Sequence, residues 1–253
     1  EGHDVVGLIR TPEQADDLRA AGMEPAVISL EDASVDDVAE VINGCDAVVF
    51  AAGGGPESGR ARKWSVDLMG AVLLADAAEQ AGVRRYVMVS SIGSDAPENV
   101  DAGVFQVYLY AKGGADADLR TRDLDWTIVR PGMLTDDAPT GQVTINPDQQ
   151  RQPITRGDVA HTLAQVLTSG HAIRETFVVV NGTTPVDEAV AQLRRGVRDD
   201  RGRDRLGARG ARGFSTHGST LPGPFTRWAR GGSARCTGDR WRSCRPGRRG
   251  SPS

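Results

Sequence analysis

The sequence predicts an α/β fold built on a doubly wound parallel sheet, and three observations carry that expectation. Short apolar runs alternate with amphipathic stretches from Asp4 to Gly182, the pattern of parallel strands joined by helices. The runs are apolar throughout, as in a sheet covered on both faces. With 253 residues and 39% hydrophobic side chains, the chain can bury one substantial core.

Taken in order, apolar runs place strands at Asp4–Ile9, Pro25–Ser29, Ala47–Ala51, Arg85–Ser90, Asp125–Arg130 and Thr176–Val180. Amphipathic stretches between them place helices at Pro12–Ala21, Val35–Asn43, Ala61–Ala81 and Phe105–Arg122. A further helix is expected at Thr155–Thr168. Thr155-Arg-Gly-Asp158 has the spacing of a capping box, and Val159, Leu163, Val166 and Leu167 recur at helical intervals. Pro185–Leu193 reads as a closing helix.

A doubly wound nucleotide-binding sheet begins with a strand, a glycine-rich turn and a helix whose N-terminus takes pyrophosphate. Here Glu1-Gly-His-Asp4 runs straight into a strand ending in Arg10, which reads like the end of a second strand. The expectation is a Rossmann-like sheet lacking its first strand, glycine-rich turn and first helix, a unit of about 20–30 residues. Gly53-Gly-Gly55 follows a later strand and precedes Pro56, Glu57 and Ser58, so it does not stand in for that turn.

Chemistry concentrates between Val83 and Gly132. Ser90 and Ser91 close an apolar strand, and Tyr108-Leu-Tyr-Ala-Lys112 places a phenol and an amine four residues apart, on one helix face. A phenol of pKa ~10 must drop by about 3 units to act at neutral pH, roughly 4 kcal/mol. A neighbouring ammonium is the expected source. Gly113-Gly114 should weaken that helix by about 1 kcal/mol each.

Composition changes abruptly near Arg194. Residues 1–193 carry a net charge of −16; residues 194–253 hold 16 arginines, no lysine and 4 aspartates. The first part (1–193) reads as one domain and the second (194–253) as an Arg/Gly-rich disordered or non-native tail. Its arginines are interleaved with few aromatics, Trp228 and Trp241 among them, so nucleic acid is not the expected partner. Cys45, Cys236 and Cys244 form neither a disulfide framework nor a short metal spacing, which fits a cytoplasmic setting. His3, His161, His171 and His217 are scattered, and no metal is expected. No run of 18 apolar residues suggests a membrane span.

Residues 1 to about 193 resemble the atypical short-chain dehydrogenase/reductases with an NAD(P)H-binding domain, close to the NmrA-like group. The resemblance rests on His3-Asp-Val-Val-Gly-Leu-Ile-Arg10, Asp46–Gly53, Val66-Asp67, Asp76–Ser91, Thr127-Ile-Val-Arg-Pro-Gly132 and Asp158-Val-Ala160. It implies that Arg10 faces the 2′-phosphate of NADP, NAD remaining possible, as guanidinium–phosphate geometry favours. Leu30, Glu31 and Asp32 would edge the adenine. Ala51, Ala52 and Gly53 would let ribose and pyrophosphate approach the backbone, with Ser90, Pro131 and Gly132 near the nicotinamide. Tyr108 would be the acid that protonates a carbonyl as hydride arrives. Lys112 would bind the ribose hydroxyls and lower the Tyr108 pKa, and Ser91 would orient the substrate oxygen.

The leading expectation is therefore an NADP-preferring oxidoreductase, or a related sugar-epimerase/dehydratase, acting on a small molecule. The alternatives are a non-catalytic, redox-sensing NAD(P)H-binding regulator of the NmrA-like kind and an inactive fragment. Substrate recognition is expected around Pro97–Gly103 and Thr135–Pro153, which carry no diagnostic residues.

Overall fold

A computed structural model describes residues 2–55, 57–95, 101, 103–148 and 152–195. The tail beyond Arg195 and most of the 97–103 segment lie outside the described residues. All six strands read from the sequence are present, each within two residues of its expected ends. They are β1 (Val6–Ile9), β2 (Glu24–Val27), β3 (Ala47–Phe50), β4 (Arg85–Val89), β5 (Asp125–Pro131) and β9 (Glu175–Asn181). Between β5 and β9 run three short strands that the sequence did not reveal, β6 (Met133–Thr135), β7 (Gln142–Ile145) and β8 (Pro153–Thr155). Thr184–Pro185 forms β10. Two to four residues are too few to register a period against neighbouring loops.

Strands β3, β4, β5 and β9 pair in parallel, in the order β9-β5-β4-β3, and β7 and then β10 extend the β9 edge antiparallel. β1 and β2 form a parallel pair of their own. Among the described residues no strand joins β1 to β3, so the sheet is in two pieces and each of these strands keeps an unpaired edge.

Side chains alternate across the larger sheet and seed two cores, as strand geometry requires. Tyr86 and Met88 of β4, and Trp126 and Ile128 of β5, pack against α2 (Val35–Ile42), α4 (Ala71–Ala81) and α5 (Val104–Arg120). Val87 and Val129 face the other way, against Val159 and Val166 of α6 (Arg156–Ser169) and Val186, Ala189 and Val190 of α7 (Val186–Ala191). Helices on both faces make this a doubly wound sheet. β1 and β2 join the first core through Leu8, Ile28 and Leu30.

Two helices differ from expectation. The first begins with a 3₁₀ turn, Pro12–Gln14, and continues as α1 (Ala15–Ala20); Gln14 Oε1 accepts from the Arg10 and Thr11 amides. The capping box at α6 is half formed: Thr155 Oγ1 accepts from the Asp158 amide at 3.0 Å. The Asp158 carboxylate does not reach back to the Thr155 amide, because it instead accepts from the Thr140 and Gly141 amides at 3.0 and 2.7 Å. Burial works against that carboxylate, but these bonds hold its pKa below the usual range.

The helix expected at Ala61–Ala81 is continuous, with a change of winding. It opens as α3 (Arg60–Arg62), passes through a π-helical segment at Lys63–Gly70 and resumes as α4. A π segment widens the turn and re-aims side chains, and such segments recur at functional sites. Here it buries Lys63, Val66, Asp67 and Gly70. No helix among the described residues is long and apolar enough to cross a membrane.

Candidate active site

The C-terminal ends of β3 and β4, the first half of α5 and the π segment converge. Tyr108 and Lys112 lie one turn apart on α5. The Ser91 hydroxyl, which follows β4 and donates to the Ile92 carbonyl at 3.3 Å, neighbours the Tyr108 hydroxyl and favours its ionised form. The Lys112 Nζ stands 6.0 Å from the centre of the Tyr108 ring. The three residues expected to carry the chemistry are therefore adjacent.

Lys112 is 3% exposed. Its ammonium donates to the Val89 carbonyl at 3.1 Å and the Ala52 carbonyl at 3.4 Å, and lies 3.5 Å from Asp67 Oδ1. Two hydrogen bonds and one ion pair hold the ammonium, so Lys112 ties the ends of β3 and β4 to both helices. Burial pushes its pKa down, against the opposing pull of Asp67 and Asp116.

The sequence expectation for Tyr108 is corrected in direction. Burial pushes its pKa up; the Ser91 hydroxyl opposes this, and the Asp67 and Asp116 carboxylates add to the rise. The Lys112 ammonium is compensated by the Asp67 carboxylate, which the spacing of Tyr108 and Lys112 does not reveal. At neutral pH Tyr108 is a protonated phenol, suited to donating.

Ser90 serves the scaffold. Its hydroxyl donates to Asp116 Oδ2 at 2.8 Å, where Ser94 Oγ and the Arg130 guanidinium also converge. Arg130 is paired with Asp95 as well. This buried group pins α5 to β4 and β5.

The two glycines after Lys112, expected to weaken α5, are what allow its approach. A Cβ on Gly113 would lie 2.2 Å from the Ser94 carbonyl oxygen, and one on Gly114 would lie 3.2 Å from Leu68 of the π segment. Gly113→Ala gains roughly 1 kcal/mol of helix propensity but forces backbone apart, at a typical overpacking cost of about 1–3 kcal/mol. We expect a net loss of stability and a lower melting temperature. A melting temperature at or above the parent's would show that the Ser94 loop yields freely.

Around this centre lie the residues expected to hold cofactor. Ala51 and Gly53 are exposed and Ala52 is half-buried. A Cβ on Gly53 would stand 3.0 Å from Asp67 Oδ1, while the Gly54 amide donates to Asp67 Oδ2 at 3.0 Å. Asp67 Oδ1 is buried without a hydrogen-bond donor. Arg10 is exposed at the end of β1, with no side-chain partner among the described residues. Leu30 is half-buried near Gly70. Glu31 accepts from Ser65 Oγ at 2.6 Å and pairs with Arg62 at 3.2 Å, which ties the loop after β2 to the π segment.

Pro131 is buried. Of the two residues expected near the nicotinamide, Gly132 has its amide committed to the sheet, donating to the Val179 carbonyl at 2.9 Å. Gly132 is there for packing: a Cβ would fall 2.0 Å from the Gln152 carbonyl oxygen. Sequence reasoning gave no role to Asp67 or Lys63, although their four-residue spacing already placed them on one helix face.

An accessible small-residue backbone at the strand ends, with polar groups converging behind it, fits a nucleotide at the place where doubly wound sheets bind one. The family of NAD(P)H-binding proteins matches residues 1–170. The chain belongs to that family. Bacillus subtilis YhfK, named as an uncharacterized sugar epimerase, is 36% identical over 191 residues, covering 76% of this chain and 88% of YhfK. A solved Bacillus halodurans structure, classed by its name with the NAD-dependent epimerase/dehydratases, is 38% identical with a TM-score of 0.70, covering 76% of this chain and 89% of that one. The oxidoreductase ylbE of Lactococcus lactis is 30% identical with a TM-score of 0.67, covering 76% and 86%. The fold is of the Rossmann type, and the family's ligand is a nicotinamide cofactor.

Proposed function

We propose that the protein is an NADP-preferring oxidoreductase of the epimerase/dehydratase-related kind, in which Tyr108 moves the proton, Ser91 orients the substrate oxygen and Lys112 holds the site together. The observation that carries this reading is the half-buried Tyr108 phenol, beside Ser91 and with Lys112 one turn away, at the C-terminal ends of the strands, where doubly wound sheets bind ligands. Ala51, Ala52 and Gly53 would admit the ribose and pyrophosphate, and Arg10 the 2′-phosphate. A nicotinamide supplies or takes hydride when bound.

The chain's own part is then proton management. A substrate oxygen set between Ser91 and Tyr108 receives a hydrogen bond from each hydroxyl and takes the Tyr108 proton as charge builds on it. The names of the relatives, a sugar epimerase and an oxidoreductase, support a substrate whose reacting carbon alternates between carbinol and carbonyl.

Turnover is tested with NADPH against a panel of carbonyl compounds and nucleotide sugars, comparing parent and Tyr108→Phe. Loss of turnover with retained NADPH affinity supports the reading. Unchanged turnover removes Tyr108 as the acid, and nucleotide binding without turnover in either protein favours a sensing role. Cofactor choice is tested separately. Arg10→Ala should weaken NADPH binding by about 10–100-fold, the scale of a charged hydrogen bond to phosphate, and leave NADH binding unchanged. Equal losses for the two cofactors would assign Arg10 a structural role.

A further inference from the structure

The chain contains 28 arginines and two lysines, Lys63 and Lys112. Both lysines are buried, and both stand beside the same ring: Lys63 Nζ is 5.5 Å and Lys112 Nζ 6.0 Å from the centre of Tyr108. The helices explain how. Lys63 and Asp67 are four residues apart on the buried face of the π segment, and Tyr108 and Lys112 are four apart on α5, which packs against it. The pairs face one another in register, Asp67 opposite Lys112 and Lys63 opposite Tyr108.

The charges of the two lysines are not equivalent. Lys112 is compensated by Asp67. Lys63, only 6% exposed, donates to the Gly55 carbonyl and has no carboxylate partner among the described residues. With the phenol protonated, the four side chains carry one net positive charge; with the proton gone they carry none.

We propose that Lys63 is a positioning residue for proton transfer at Tyr108, its ammonium compensating the charge left on the phenol oxygen when the proton moves to substrate. The groups facing Tyr108 are Ser91 after β4, Lys63 and Asp67 on the π segment, and Lys112 and Asp116 on α5. Asp116 is committed to Arg130 of β5, which also holds Asp95. Both carboxylates that bear on Tyr108 are thus matched by their own cations, and Lys63 is the surplus one. With Nζ 5.5 Å from the ring centre the phenol oxygen lies within about 8 Å of it, and at an effective dielectric near 20 the attraction is worth more than about a tenfold change in an equilibrium. An ammonium also suits the place better than a guanidinium, being a compact charge on a flexible stem. The inference rests on the reading of Tyr108 as proton donor only for its part in turnover. The coupling itself is a property of the folded chain.

The test needs no substrate. The full chain is labelled with 3-fluorotyrosine, which lowers every phenol pKa and brings a raised tyrosine into an accessible range. Its three tyrosine resonances are followed by ¹⁹F NMR against pH, that of Tyr108 being assigned by its loss in Tyr108→Phe. Lys63→Met is expected to raise the Tyr108 midpoint by about one pH unit or more, a tenfold change, and Lys63→Arg, which keeps the charge, to restore it. A Lys63→Met midpoint equal to the parent's, with the other tyrosine resonances unmoved, overturns the proposal.

Should Lys63→Met not fold, the parent decides. With ¹³C at lysine Cε there are two lysine signals, and that of Lys63 must shift in step with the Tyr108 titration and lose the step in Tyr108→Phe. A Lys63 signal blind to Tyr108 sinks the idea. Unchanged turnover in Tyr108→Phe, by contrast, would remove the functional reading and leave this coupling standing.

Discussion

Tyr108→Phe is expected to lower turnover by about 10²–10⁴-fold, the usual contribution of a positioned general acid, with little change in cofactor affinity. The substitution keeps the ring that Phe105 and the two ammoniums lie against and removes one oxygen. The pH profile separates this loss from a general disturbance. Burial and the Asp67 and Asp116 carboxylates raise the Tyr108 pKa, so the acid form persists through neutrality. Carbonyl reduction should therefore hold level through neutral pH and fall as pH rises through the raised value, and oxidation of the alcohol should climb over the same range. The residual activity of Tyr108→Phe should show neither limb. A high-pH limb that survives in Tyr108→Phe would assign it to another group.

Lys112→Met should cost about 3–5 kcal/mol of folding stability, the scale for removing one partner of a buried ion pair. Asp67 is fully buried and would be left with the Gly54 amide alone, while the Val89 and Ala52 carbonyls would lose their donor. The effect should appear as a lower denaturant midpoint at constant slope. Pairing the substitution with Asp67→Leu should return much of the loss, because the stranded charge is then gone. A loss below about 1 kcal/mol, the scale of exposed pairs, would show that water reaches the pair.

The alternation of apolar and amphipathic segments placed six strands and the main helices, because those strands are continuous apolar runs and the helices carry one buried face, traces that β6, β7, β8 and β10 are too short and too polar to leave. Ser91, Tyr108 and Lys112 were legible for a related reason: a strand end and one helix face confine them. What escaped was tertiary. Hydrophobic spacing over two turns does not separate a π winding from an α winding, so Lys63–Gly70 read as ordinary helix. Gly113 and Gly114 looked like weak points on propensity alone, since the Ser94 carbonyl that requires the first of them comes from another part of the chain. The direction of the Tyr108 pKa was misjudged because burial and Asp67 are invisible from the spacing of Tyr108 and Lys112.

The two-piece sheet bears on how the molecule breathes. Among the described residues β1 and β2 share a ladder only with each other, and Leu8, Ile28, Leu30 and the Glu31 contacts to Arg62 and Ser65 hold them to the rest. Among the described residues their ladder is separate from the one that runs from β3 to β10, and pieces that share no ladder can open separately. Arg10 sits on the smaller piece, and Gly53 and Tyr108 sit on the other. A nucleotide that engages both binds only the closed population, so its apparent affinity falls by the fraction of time the smaller piece is open. A nucleotide that bridged the two pieces would act as a staple, protecting β1 and β2 in proportion to its concentration.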